Sequence, residues 1–411
     1  MSRILSKTMK FKKLLKERRA SKRVLLFLFF SSLIIGGFLL GANYNSLQNL
    51  SFPQTFRIKT IGNISPRQLD KELKNKNFTF INVHTPYEGE IKGTDMFIIH
   101  DEMIANKAQL PQDKNAPIVL YCKTGRMSTE ALATLQGMGY TNVRHLEGGM
   151  DAWKKAGYEM LDLSKLPEEV LPKEGMVLPV KWGEIGPRLV EIGVIDLEKF
   201  NKASLTDEQK KILTEGGEEF IKIDSSNSHF VVNMLWALGL AQKSIVYEEG
   251  PMGKEQKSRV GNFASTGGWT LGQGDAVRYL NQYELIPLTA EEQQKVAEIA
   301  KNVYRPCCGN STWFPDCNHG MAALAAIELM VSESVPEEQI YKYILALNSY
   351  WFPDTYIVTA TYFARQGVQW KDVDAKLVLG KDFSSAQGAR EVAKKVGPLL
   401  YRAERSGNCG A

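Results

Sequence analysis

The chain has 411 residues and a formal net charge of +5. That length allows two or three domains with cores of their own, and the ordinary apolar and charged fractions exclude a largely disordered protein. Residues 1–23 hold ten Lys/Arg and one acid, a local charge of +9, so the remainder stands at −4 and carries no electrostatic footprint for nucleic acid.

Behind this basic segment, residues 24–42 form an uncharged apolar run of 19. At 1.5 Å per residue a helix of that length spans the ~30 Å hydrocarbon layer. The run and its basic flank are both long for a signal peptide, so an uncleaved single transmembrane helix is expected ahead of the folded domains. The positive flank places the N-terminus in the cytoplasm and the bulk of the chain outside the cell membrane. Residues 43–55 are polar and read as a stalk.

An α/β pattern occupies residues 56–160. Ser65 caps a helix, residues 78–83 and 116–122 are short strand-forming runs, and residues 127–140 have helical spacing ending at Gly139. A further strand and a closing helix follow, with Gly157 as the stop. Strands alternating with helices imply a mainly parallel sheet with helices on both faces. Residues 161–193 contain four prolines and read as a linker that packs on its neighbours. Residues 194–411 read as mostly α-helical, with a Thr289/Glu292 capping box and Pro336 at a helix start. The Gly-rich stretch 262–275 follows no strand and reads as a tight loop rather than a phosphate cradle.

The predicted strand 116–122 ends in Cys122, and the sequence Cys122, Lys123, Thr124, Gly125, Arg126, Met127, Ser128 leads directly into a helix. A thiol there lies at the carboxyl end of a parallel strand and faces a helix N-terminus, where free N–H groups and the helix dipole favour an anion. Lys123 and Arg126 add positive charge, which is expected to lower the thiol pKa, and Gly125 lets the loop curl inward. This loop resembles the six-residue active-site loop of the rhodaneses. Residues 145–158 resemble that family's closing signature, and residues 82–94 its early acidic segment, with Asn82 and His84 where the family has Asp and Arg.

The resemblance covers about a quarter of the chain. It implies a ping-pong sulfurtransferase in which Cys122 becomes a persulfide, residues 123–128 bind the substrate, a donor such as thiosulfate supplies sulfur, a thiol accepts it, and no cofactor takes part. Ser128 stands where the related cysteine phosphatases require Arg, which disfavours phosphate-ester chemistry.

A second constellation lies at residues 304–320, where Cys307, Cys308, Cys317 and His319 fall in one interhelical loop. Cys317 and His319 sit at a helix start, which favours thiolate. Three chemistries fit. The four side chains suit a Cys3His site for Zn or Cu. With Cys409 the cysteines also number enough for two disulfides in an oxidising compartment. The thiols would equally serve as a relay accepting sulfur from Cys122. The alternative overall function is therefore a membrane-tethered metal- or thiol-binding protein with the α/β domain as a docking module.

Overall fold

The computed structural model describes residues 62–397 and 399, apart from residue 203. The predicted span at 24–42 and Cys409 lie outside the described residues. Among those described, no helix is long and apolar enough to cross a membrane.

Five short strands form one parallel sheet: β1 (Gly62–Ile64), β2 (Thr79–Asn82), β3 (Met96–Phe97), β4 (Ile118–Tyr121) and β5 (Val143–Leu146), in the spatial order β1-β5-β4-β2-β3. The central strand β4 is buried at all four positions, as a strand covered on both faces must be. Helix α1 (Pro66–Leu73) begins at Ser65, whose hydroxyl accepts the Gln68 N–H. Helices α2 (Arg126–Gly137) and α3 (Gly149–Lys155) complete the layer. Two apolar clusters fill it. One, around Ile81, Leu120 and Leu135, lies on the α2 face; the other, around Phe80, Tyr121 and Trp153, lies opposite.

Beyond residue 160 the chain is mostly helical, with one departure from expectation. Residues 161–193 do pack on their neighbours, but they carry strand β6 (Met176–Gly183), which pairs antiparallel with β7 (Gly217–Ile223). Leu178, Val180 and Trp182 point into the core at every second position, while Val177 and Lys181 face water. A two-stranded ribbon has only edges, so Pro179 costs no central ladder bond.

The helical core is built around α4 (Ser228–Ala241) and α6 (Asn318–Ser332), which pack on each other and are buried almost all round. Around them lie α5 (Ala290–Asn302), α7 (Glu337–Trp351), α8 (Pro353–Arg365) and α9 (Ala386–Val396). Thr289 and Glu292 close the capping box of α5, and Pro336 is the N-cap of α7, one position earlier than expected. The Gly-rich loop is a packed turn: Ser265 and Thr266 are fully buried, and Trp269 Nε1 donates to Val194 O at 2.7 Å.

The α/β layer and the helical body form one compact unit. A buried bidentate ion pair links them. Arg365, ending α8, donates to both Glu90 oxygens at 2.8 Å and also reaches Asp95 O and Val396 O.

Candidate active site

Strand β4 delivers Cys122 to the carboxyl edge of the sheet, and α2 begins four residues later. Between them the chain wraps around the sulfur. The Gly125 N–H donates to Cys122 Sγ at 3.0 Å, with Gly125 at φ 99°, and Ser128 Oγ lies 3.5 Å from the same sulfur. The thiol itself is buried.

The loop is clamped from beneath by the start of α3. Met150 N–H donates to Cys122 O at 2.9 Å and Asp151 N–H to Lys123 O at 3.0 Å. This approach requires Gly149. Its φ is +59°, and a Cβ there would sit 2.1 Å from Cys122 O. From the side, Ser128 Oγ donates to Gly125 O at 3.0 Å and meets His145 Nδ1 at 3.1 Å. Burial lowers the pKa of His145. The neutral ring can therefore fix the serine hydroxyl. Gly149 and His145 fall within the closing signature at 145–158, but the φ of Gly149 and the contact of His145 across the loop are not visible in one dimension.

The two cations expected to charge the loop are both already paired. Lys123 Nζ lies 2.6 Å from Glu88, which also approaches His84 Nε2 at 3.5 Å, and Arg126 lies 2.6 Å from Glu130. Lys123 holds the Glu88 carboxyl below its usual range. The groups that touch the sulfur are thus the Gly125 N–H and the Ser128 hydroxyl, while Lys123 and Arg126 form a charge-compensated rim. Thr124 and Met127 belong to the same loop, Thr124 exposed and Met127 packed on the α2-side core. Asn82, the family's Asp, is buried and braces the turn that carries Glu88: its amide donates to Gly89 O and its carbonyl accepts the His84 N–H.

The rhodanese-like domain family matches residues 65–156. Thiosulfate sulfurtransferase GlpE of Ectopseudomonas mendocina is 30% identical over 97 residues, which are 22% of this chain and 83% of that protein. The chain belongs to the rhodanese family. The probable adenylyltransferase/sulfurtransferase MoeZ of Mycobacterium tuberculosis is 39% identical over 97 residues, 22% of this chain, and the match spans only 24% of its length. A sulfurtransferase of Allochromatium vinosum is 29% identical over 101 residues, 24% of this chain and 92% of its own. These likenesses, confined to the rhodanese-like domain, support a sulfurtransferase-type function.

The second constellation lies between α5 and α6. Cys317 is the N-cap of α6, its sulfur accepting the Gly320 N–H at 3.3 Å. Cys307 Sγ and Cys308 Sγ lie 3.3 and 3.9 Å from it. Contacts from Cys307 and Cys308, and then the Arg305 guanidinium, hold the Cys317 thiol well below the usual thiol range, while Cys307 is pushed up. His319 does not join them. Its ring packs against Phe352 and Trp351, with centroids 4.4 and 5.6 Å away, and burial pushes its pKa down to about 4. The reason is helical geometry, since residues two apart on a helix project to different sides.

Proposed function

We propose that the rhodanese-like domain moves sulfane sulfur through a persulfide on Cys122. The observation that carries this reading is the cradle around the sulfur, with the Gly125 N–H at 3.0 Å and Ser128 Oγ at 3.5 Å. Backbone N–H groups at a helix start favour an anion, here the thiolate and then the persulfide. The Cys122 thiolate attacks the outer sulfur of a donor such as thiosulfate. The donor S–S bond breaks and sulfite leaves with its electron pair. A thiol acceptor, as thiolate, then takes the outer sulfur, and Cys122 leaves as thiolate. Because Cys122 is buried, the donor must present a slim terminal sulfur. The persulfide bond, about 2.05 Å long, then carries the reactive sulfur outward toward the rim.

Lys123 and Arg126 attract an anionic donor to that rim, in competition with Glu88 and Glu130. The apolar run at 24–42 with its basic flank supports a single membrane anchor, N-terminus inside and the catalytic domain outside.

The test is Cys122→Ser in the full chain, assayed for thiocyanate formation from thiosulfate and cyanide. Turnover should be lost, and wild-type protein exposed to thiosulfate alone should gain one sulfur atom on the Cys122 peptide by mass spectrometry. Turnover surviving in the variant removes Cys122 from the mechanism.

A further inference from the structure

The loop between α5 and α6 brings three sulfurs to one point. Cys307, Cys308 and Cys317 have Sγ atoms all within 4.8 Å of one another, and among the described residues no other group of three or more His, Cys, Asp or Glu side chains converges in this way. The backbone holding them is tied down on several sides. Tyr304 pairs with Ser311, Tyr304 N–H donates to Leu379 O, Cys308 O accepts the Ala386 N–H, and Asp316 O accepts the Ser265 N–H. The cluster is therefore fixed by the fold and not assembled from a free loop.

The spacing suits a shared ion better than a bond. Three sulfurs placed about 2.3 Å from one centre lie roughly 4 Å apart; Cys307 and Cys308 lie 3.3 and 3.9 Å from Cys317, and all three fall within 4.8 Å of one another. A disulfide needs about 2.05 Å, and pairing any two of these sulfurs leaves the third stranded beside them.

Beneath the sulfurs lies Arg305, fully buried. Its guanidinium is held by Asn310 O at 3.0 Å, Phe314 O at 3.2 Å and Asp316 Oδ1 at 2.9 Å, and Asn310 Nδ2 braces the other Asp316 oxygen at 2.8 Å. With its charge balanced by Asp316, Arg305 aims its Nε–H at Cys317 Sγ, 3.1 Å away. The Gly320 N–H reaches the same sulfur, and Gly320 must lack a side chain because a Cβ would lie 2.5 Å from Arg305 Cζ. Fixed N–H donors on a sulfur are the outer shell that orients and tunes a metal-bound thiolate.

We propose that Cys307, Cys308 and Cys317 bind one soft d10 metal ion, Cu(I) or Zn(II), through three thiolates and without His319. The all-sulfur ligand set selects soft ions and excludes Mg, Ca and Mn. Three thiolates complete a trigonal Cu(I) site, whereas four-coordinate Zn(II) would keep one position open, as catalytic rather than structural zinc sites do. The thiol protons displaced on binding pass to solvent.

The test uses the full chain carrying Cys122→Ser and Cys409→Ser, so that only the three cluster thiols remain, prepared reduced, metal-free and under anaerobic conditions. Zn(II) and, separately, Cu(I) are titrated against a chromophoric chelator, and thiol alkylation is followed with and without metal. The expected result is one equivalent of metal per chain for at least one of the two ions, with all three thiols protected. In the same background Cys317→Ser should weaken binding at least a hundredfold, and His319→Gln should keep the full equivalent. The Cu(I) and Zn(II) arms identify the ion. The proposal is overturned by no saturable binding of either ion, or by alkylation of the three thiols at the metal-free rate in unmutated clusters. Loss of binding in a His319→Gln variant whose circular dichroism is unchanged overturns it too.

Discussion

Gly149→Ala is a direct probe of how the Cys122 loop is held. The residue sits at φ +59°, and an added methyl would meet Cys122 O at 2.1 Å and Lys123 O at 2.5 Å. Both contacts are backbone, so neither can be relieved by turning a side chain. A left-handed conformation costs a residue with a Cβ roughly 1–2 kcal/mol. Relief of the clash also sacrifices the hydrogen bonds from Met150 and Asp151 to the loop carbonyls, each worth about 0.5–1.5 kcal/mol net. The combined loss of stability is about 2–5 kcal/mol. A displacement near 1 Å at the cradle costs on the order of a hundredfold in rate. Denaturant unfolding gives the first quantity and thiosulfate:cyanide turnover the second. Gly137→Ala is the internal control, because that glycine is helical and a Cβ there meets nothing within 4 Å; it should be neutral or slightly stabilising. Wild-type stability and turnover in Gly149→Ala would refute the view that α3 clamps the loop.

Glu90→Gln removes the carboxylate charge from the buried Glu90–Arg365 pair and should destabilise the chain by about 3–5 kcal/mol, measured by denaturant unfolding; a change under 1 kcal/mol would show that the pair is not buried in solution. Burial pushes the fully buried Glu328 carboxyl in α6 up to about 8 from 4.5. The native state then holds a proton that the unfolded chain has released, so the Glu328 contribution to stability is fully present below pH 4.5 and falls as pH rises toward 8, by up to about 4–5 kcal/mol. Glu328→Gln should flatten that decline in melting temperature between pH 5 and 8.5, and an unchanged slope would remove Glu328 as its source.

The α/β half was legible because its signals are local. Residues 78–83 and 116–122 are short apolar runs, the second ending at a thiol beside a helix start, and Ser65 is a cap written within four residues; in the helical body the Thr289/Glu292 box is equally local. The charge state of the rim was not legible. Lys123 meets Glu88 across 35 positions, and which carboxylate reaches a flexible lysine is decided by the turn that Asn82 braces. Strand β6 is masked by Pro179 and the prolines of the segment before it, although the alternation of Leu178, Val180 and Trp182 is present to be read. Helix α8 has little local signal of its own, because its Thr, Ile and Val content argues weakly for a helix and because it follows α7 with only Phe352 between them. His319 was grouped with the cysteines by proximity in sequence. Helical phase separates it from Cys317 and brings the Gly320 N–H back beneath the sulfur instead.

The segment from His84 to Thr94 joins the two halves of the molecule at the place where that matters for chemistry. Glu88 pairs with Lys123 on the rim of the sulfur cradle, and two residues on Glu90 is gripped by Arg365 of the helical body. Glu90 and Leu161 also exchange both backbone hydrogen bonds, and Gly93 N–H donates to Arg365 O. Further along, Thr94 and the Ile91 N–H meet the hydroxyl of Tyr121, the residue immediately before Cys122. A shift of Arg365 is thereby felt on both sides of the nucleophile: through Glu88 at the rim and through Tyr121 beneath it. On the inner side the dependence is mechanical, since Glu90, Thr94, Tyr121 and Arg365 are buried and close-packed and cannot yield independently, whereas Glu88 on the rim is exposed and is tied to Glu90 only through the backbone. Glu90→Gln should therefore lower turnover at temperatures where the variant remains folded, whereas full turnover there would confine Glu90 to holding the two halves together.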